Sequence, residues 1–292
     1  MFALGDVGSA ELEDYYRGEF WDSREDLRDN RSVHYQSRAL ARLQRRFVFD
    51  VAQKAGSRFG DLGAARVLEI GCGYGHLLKE FADAGAEVEG LEPDSEKVRF
   101  ARERLGLSGV EQGFLGEAAL GGASYDLVLM SHVLEHLADP VRGLTQLRDL
   151  LRPGGRLFLE VPHDSPEKVE LMMELGTTSS HLWFFVPRAL REVALRAGFQ
   201  VDVVATAGYP LTRVVRDLRF DVARRRDSLL FAVGDDPRVL LGRKVAARMR
   251  HFFGLPANTI YSERLPWGMD DRGCAIRLFG RPAEQQGSAG AG

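Results

Sequence analysis

The run Arg-Val-Leu-Glu-Ile-Gly-Cys-Gly-Tyr-Gly at residues 66–75 leaves this chain few folds to choose from. Val67, Leu68 and Ile70 make a short apolar stretch without helical spacing that stops at glycine, which is the pattern of a strand buried in a parallel sheet. Residues 76–84 (HLLKEFADA) then carry apolar side chains three and four apart, so Gly71, Gly73 and Gly75 form the turn from that strand into a helix. A turn without side chains lets backbone N–H groups come close to a ligand. A second strand over 87–91 runs into Glu92, about twenty residues past the first glycine, where a carboxylate can accept hydrogen bonds from ribose hydroxyls. Together the two features point to an adenosine compound.

Pyrophosphate recognition is disfavoured. The dinucleotide fingerprint needs its third glycine where this chain has His76, and the Gly-Lys-Ser/Thr of a phosphate-binding loop is absent. Further strands are expected near 109–113, 126–130, 155–161 and 199–205, with helices between them, and Gly121-Gly122 and Pro153-Gly154-Gly155 as turns. Such alternation implies a parallel sheet with right-handed crossovers and ligands at the carboxyl ends of its strands. Ahead of the core, residues 32–55 place Leu40, Leu43, Phe47 and Val51 at helical spacing, an amphipathic helix ending before Gly56.

With Glu69 in its acidic position, the glycine run resembles the first motif of class I S-adenosylmethionine-dependent methyltransferases. The resemblance continues through residue 206, with Glu92-Pro93, YDLVLMSHVLEHLADP at 125–140 and LRPGGRLFLEVP at 151–162. It implies a Rossmann-like α/β fold: a seven-stranded, mostly parallel sheet with helices on both faces. The core is expected over 61–206 plus 274–282, with a helical amino-terminal arm or lid at 1–60, a mostly helical insertion at 207–273 and a disordered tail at 283–292. The resemblance also implies S-adenosyl-L-methionine as cofactor. Glu69, Gly71, Cys72, Gly73 and Gly75 would surround its methionine part, Glu92 and Pro93 its ribose, Phe114 and Leu115 its adenine, and Ser131 and His132 the methyl group. Phe114 stands where the family often has an acid for the adenine amino group, which leaves that contact to backbone, apolar packing or Glu117.

His132, Glu135 and His136 fall at i, i+3 and i+4, which on a helix is one face. That spacing, with His181 as a fourth donor, suits a divalent ion such as Mg, Mn, Fe or Zn. It is similar to the metal-dependent O-methyltransferases of ubiquinone biosynthesis and of small-RNA 3′ ends, in which Glu-x-x-Glu-His is joined by a distant histidine before an aromatic-rich helix start. SSHLWFFVPRAL at 179–190 matches that last part, whereas the first ligand is His132 here and glutamate there. Leu-Glu-His-Leu also occurs in methyltransferases without metal, where the two polar residues brace the helix. In either case His132, His136, His163 and His181 are the candidates for a general base, since imidazole accepts a proton near neutral pH.

The similarity favours a small-molecule acceptor methylated on oxygen. Methylation on nitrogen or carbon, a methyltransferase of RNA or another macromolecule, and a non-catalytic cofactor-binding module are the alternatives. A net charge of −3 gives no ground for expecting nucleic acid, and no apolar run reaches the ~20 residues of a membrane helix. The start lacks the basic and apolar regions of a signal peptide, and two cysteines, Cys72 and Cys274, are too few for a disulfide framework, so a cytoplasmic protein is expected. Residues 166–175 read as a helix walling the substrate. The arginines of 213–226 read as a phosphate or carboxylate grip or, balanced by aspartates, as a solvated or subunit-contact face, so a homodimer through 207–273 or the amino-terminal segment is expected.

Overall fold

The structure, a computed structural model, describes residues 31–54, 65–117, 120, 124–164, 166, 168–170, 181–207 and 275–283. The expected arm before residue 31, the insertion after 207, most of the 166–175 helix and the tail beyond 283 lie outside the described residues.

Seven strands form one sheet: β1 (Arg66–Ile70), β2 (Glu87–Glu92), β3 (Val110–Gln112), β4 (Tyr125–Ser131), β5 (Leu151–Pro162), β6 (Phe199–Ala207) and β7 (Ala275–Pro282). Their order is β3-β2-β1-β4-β5-β7-β6. The first five pair in parallel, and β7 slots antiparallel between β5 and β6. Between β1 and β4 the winding reverses, and open α/β sheets gather ligands outside the carboxyl ends at such a switch point.

Alternation along the strands builds a core on each face. Leu127, Leu129 and Phe158 face one side, where α1 (Arg31–Lys54) and α2 (His76–Ala82) pack through Phe47, Val51, Leu78 and Phe81. Val128, Met130, Leu157 and Leu159 face the other, against α4 (Pro140–Leu150) and α5 (Pro187–Arg196). Between them in sequence, α3 (Ser95–Leu105) is capped by Asp94, whose side chain accepts from the N–H groups of Glu96 and Lys97. Asp139 caps α4 in the same way, with Pro140 at its first position. No helix among the described residues is long and apolar enough to cross a membrane.

Two local expectations shift. The buried stripe of α1 is Ala41, Gln44, Phe47, Val48, Val51 and Ala52, with Leu40 and Leu43 half-buried at its edge, so the helix sits rotated toward a polar residue. Residues 153–155, expected as a turn before the fifth strand, lie inside β5. There the pairing with β4 slips between Tyr125↔Leu151 and Leu127↔Arg156, so the Pro-Gly-Gly segment makes an irregularity within the strand.

Candidate active site

The turn after β1 is pinned by its own backbone. The N–H groups of Gly71 and Cys72 both donate to Leu91 O, at 2.8 and 3.0 Å, which anchors the turn to the end of β2. Gly71, Gly73 and Gly75 all have positive φ (67°, 54° and 78°), the left-handed region that L side chains rarely enter. A Cβ on Gly71 would lie 2.3 Å from Val133 Cγ2 and one on Gly75 2.7 Å from Leu107 Cδ1, so packing forbids side chains at both. A Cβ on Gly73 would meet nothing within 4 Å, so that side of the turn is open.

Glu92 borders that opening. Its Oε2 accepts from the N–H of Gly73 at 2.8 Å and its Oε1 from the N–H of Asp94 at 3.1 Å, while Lys97 Nζ lies 3.9 Å from Oε1. Burial pushes this carboxyl above its ordinary pKa although Lys97 and the two N–H groups oppose the shift. Glu69, on β1, is buried with Oε2 lacking a hydrogen bond among the described residues. Burial pushes it well above the carboxylate range, and its contact with the Leu78 N–H at the start of α2 only partly offsets this. The Cys72 thiol is buried and pushed up likewise, which makes it a packing group and not a nucleophile. Alongside, Gly113 N donates to Glu92 O and Gln112 Nε2 to Pro93 O, so the loop carrying Phe114 and Leu115 starts beside the tip of β2.

Across Val133 lies a second polar group, at the end of β4. His132 is the one non-glycine residue among those described with positive φ, 56°, and its N–H donates to Glu160 O at 2.8 Å. It precedes the 3-10 helix Leu134–His136, so His132, Glu135 and His136 do not share a helical face as their spacing suggested. The His132 ring instead sits between two carboxylates, with Nδ1 3.5 Å from Glu135 Oε1 and Nε2 3.4 Å from Glu160 Oε1. Desolvation opposes charge on this ring, which is 36% exposed, but the two carboxylates dominate and its pKa is raised to about 10.

The distant histidine is carried in by backbone. Leu182 N and Trp183 N both donate to Glu135 O, and Trp183 Nε1 donates to Leu137 O at 2.7 Å. These bonds set the rings of His136 and His181 edge to face, 5.0 Å apart. One donor atom each from Glu135, His136 and His181 lies within 4.8 Å of the others, while His132 stays outside that group. Glu135 is fully buried, and neither of its oxygens has a hydrogen-bond partner among the described residues. Burial alone would raise its pKa, yet the neighbouring imidazoles lower it. His163 is buried after β5, its carbonyl accepting from Lys168 Nζ at 3.3 Å.

A domain family described as a methyltransferase domain matches residues 32–204. The chain belongs to that methyltransferase family. It is 34% identical over 174 residues to the ubiquinone biosynthesis O-methyltransferase of Aeromonas salmonicida, covering 54% of this chain and 71% of that one. A ubiquinone biosynthesis O-methyltransferase of Cereibacter sphaeroides is 34% identical over 146 residues, and there the match spans 46% of this chain and 59% of the relative's length. The magnesium protoporphyrin IX methyltransferase of Synechocystis shares the fold, with a TM-score of 0.52 at 18% identity over 68% of this chain and 94% of that one. The protein is therefore an S-adenosylmethionine-dependent methyltransferase on a Rossmann-like sheet.

Three residues beside this candidate site escaped the sequence reading. Glu160 on β5 and Arg277 on β7 are cross-strand partners that form a buried ion pair. Gln44 of α1 donates through Nε2 to both Glu160 Oε1 and Ser131 Oγ, at 2.8 Å each. Burial pushes the Glu160 carboxyl up, but Arg277 and His132 overcome it and hold it down to about 2. A signal was present: each is a charged or amide residue inside an apolar pattern (FLEV, AIRL and the core stripe of α1), and such residues are buried only with partners.

Proposed function

We propose that this methyltransferase binds S-adenosylmethionine across the tips of β1 and β2 and transfers its methyl group to a hydroxyl oxygen of a small molecule. The observation that carries the reading is the cluster of buried Glu135 with half-buried His136 and His181, separated from the glycine turn by the Val133 side chain that packs on Gly71. The likeness to ubiquinone biosynthesis O-methyltransferases supports oxygen as the acceptor atom.

The sulfonium methyl is already electrophilic, so the protein has to align the acceptor for in-line attack and manage its proton. On this reading the open side of Gly73 takes the methionine part. Glu92, whose oxygens each keep a lone pair beyond the backbone bonds, takes the ribose hydroxyls, and Phe114 and Leu115 flank adenine. Ser131 and His132 border the methyl. His132 acts there as a fixed donor and not as the base, because both its ring nitrogens face carboxylates. That leaves His136 and His181 to serve the acceptor oxygen. Two imidazoles and one carboxylate form a donor set that fits a divalent ion of the zinc or iron class, and Glu135, whose Oε1 faces His132 and His136 at 3.5 and 3.8 Å without a hydrogen bond to either, is the carboxylate that would meet it. Such an ion, when bound, acts as a Lewis acid that lowers the pKa of the acceptor hydroxyl. His163, buried and not one of that group of donors, has no part in the transfer on this reading.

The test is methyl transfer from labelled S-adenosylmethionine to a panel of phenols and catechols, with and without a chelator. Label on a phenolic oxygen, lost on chelation and restored by zinc or iron(II), is the expected result. Label in added RNA with none in the panel would overturn the small-molecule reading, and turnover indifferent to chelation would remove the cation.

A further inference from the structure

We infer that Asp164 is a positioning residue: its carboxylate orients the His181 imidazole toward Glu135 and His136, and Lys168 holds that carboxylate in place. The inference rests on the reading of the Glu135, His136 and His181 cluster as a cation site.

Asp164 lies two residues past the end of β5 and is 3% exposed, with its N–H donating to Phe185 O at 2.8 Å, so its backbone is tied to the 181–185 segment. One carboxylate oxygen, Oδ1, takes the ammonium of Lys168, one helical turn later. The other, Oδ2, is buried and has no hydrogen bond among the described residues. A buried carboxylate oxygen without a donor is costly, so its direction is informative. Facing it at 3.8 Å is His181 Nδ1. At that separation the two groups make an ion-pair contact, about 1 Å longer than a charge-assisted hydrogen bond.

Imidazole has two nitrogens with separate roles. If Nδ1 carries its proton toward Asp164, Nε2 is the unprotonated donor available to the cluster, and the ring plane is fixed. Carboxylates placed in this way behind a ligating histidine raise ligand basicity and change metal affinity by about 10–100-fold. Lys168 completes the arrangement, because it holds Asp164 through Oδ1, the oxygen that His181 does not face.

Cobalt(II) added to the full, metal-stripped chain serves as the probe, followed by visible absorption and calorimetry, with S-adenosylhomocysteine affinity as the measure of an intact fold. Wild type should take up one cobalt ion. Asp164→Asn should bind it about 10–100-fold more weakly while S-adenosylhomocysteine affinity stays unchanged. Equal cobalt affinity in the variant overturns the role of Asp164. No uptake by wild type overturns the cation reading and this inference with it. Should Asp164→Asn fail to fold, long-range proton–nitrogen spectra of the metal-free wild type decide: a His181 proton on Nδ1 supports the inference, and one on Nε2 overturns it.

Discussion

Glu92 shows how one side chain ties the glycine turn to the tip of β2, where the proposed reading puts the cofactor. It accepts from Gly73 N–H and Asp94 N–H, and so it fixes the loop without a ligand. Hydrogen bonds to a charged group are worth about 1.5–3 kcal/mol, so Glu92→Gln should weaken S-adenosylhomocysteine binding by roughly 10–100-fold in calorimetry. Unchanged affinity would remove Glu92 from the ribose. Gly71 makes the complementary point, since any side chain there meets a positive φ and Val133 Cγ2 together. Gly71→Ala should push the 132–136 segment outward and cost about 1–3 kcal/mol of stability, seen as a lower urea midpoint. Both residues were legible from the sequence, because a turn that excludes Cβ atoms and an acid at a strand end are local signals. The φ of 56° at His132 was not, since its spacing read as helix and its conformation is imposed by the β5 backbone bond to Glu160 O and by two flanking carboxylates.

At the level of elements, α1 reaches the site through an amide on its buried face. Gln44 bridges Ser131 and Glu160, so the docking of this helix and the polar floor of the site depend on each other. Gln44→Leu keeps the volume but leaves Glu160 Oε1 one donor short. A loss of about 1–3 kcal/mol is expected, with a fall in melting temperature of about 2–4 °C for each kcal/mol. A melting curve like that of wild type would mean that the bridge contributes nothing. The helix itself was evident from its three-and-four spacing, but which way it faced was not. Leucines at its edge mimic a core stripe, and only the partners on β4 and β5 pull the polar position inward. The 181–183 segment behaves alike: its aromatic-rich sequence is visible, whereas its hydrogen bonds to the Glu135 carbonyl, which carry His181 to His136, join residues far apart in the chain.

For the molecule as a whole, β7 is the strand that ties the last described part of the chain to the active end of the sheet. It lies between β5 and β6 and brings Arg277 opposite Glu160. Because the folded-state pKa of Glu160 is held at about 2, below its ordinary 4.5, the stability this group contributes is fully present above about 4.5 and is lost as the pH falls through about 2. Urea unfolding should therefore show a wild-type advantage over Glu160→Gln that is constant near neutrality and shrinks below pH about 4.5. An advantage that does not change with acid would mean the pair is not ionised as described. The sequence by itself determined the alternation of strand and helix, the glycine turn and the acid after β2, because these follow from local spacing and backbone freedom. The tertiary structure decided which polar groups meet, since Gln44, Glu160 and Arg277, and likewise Asp164 and His181, become neighbours only when strand register and loop path bring them together.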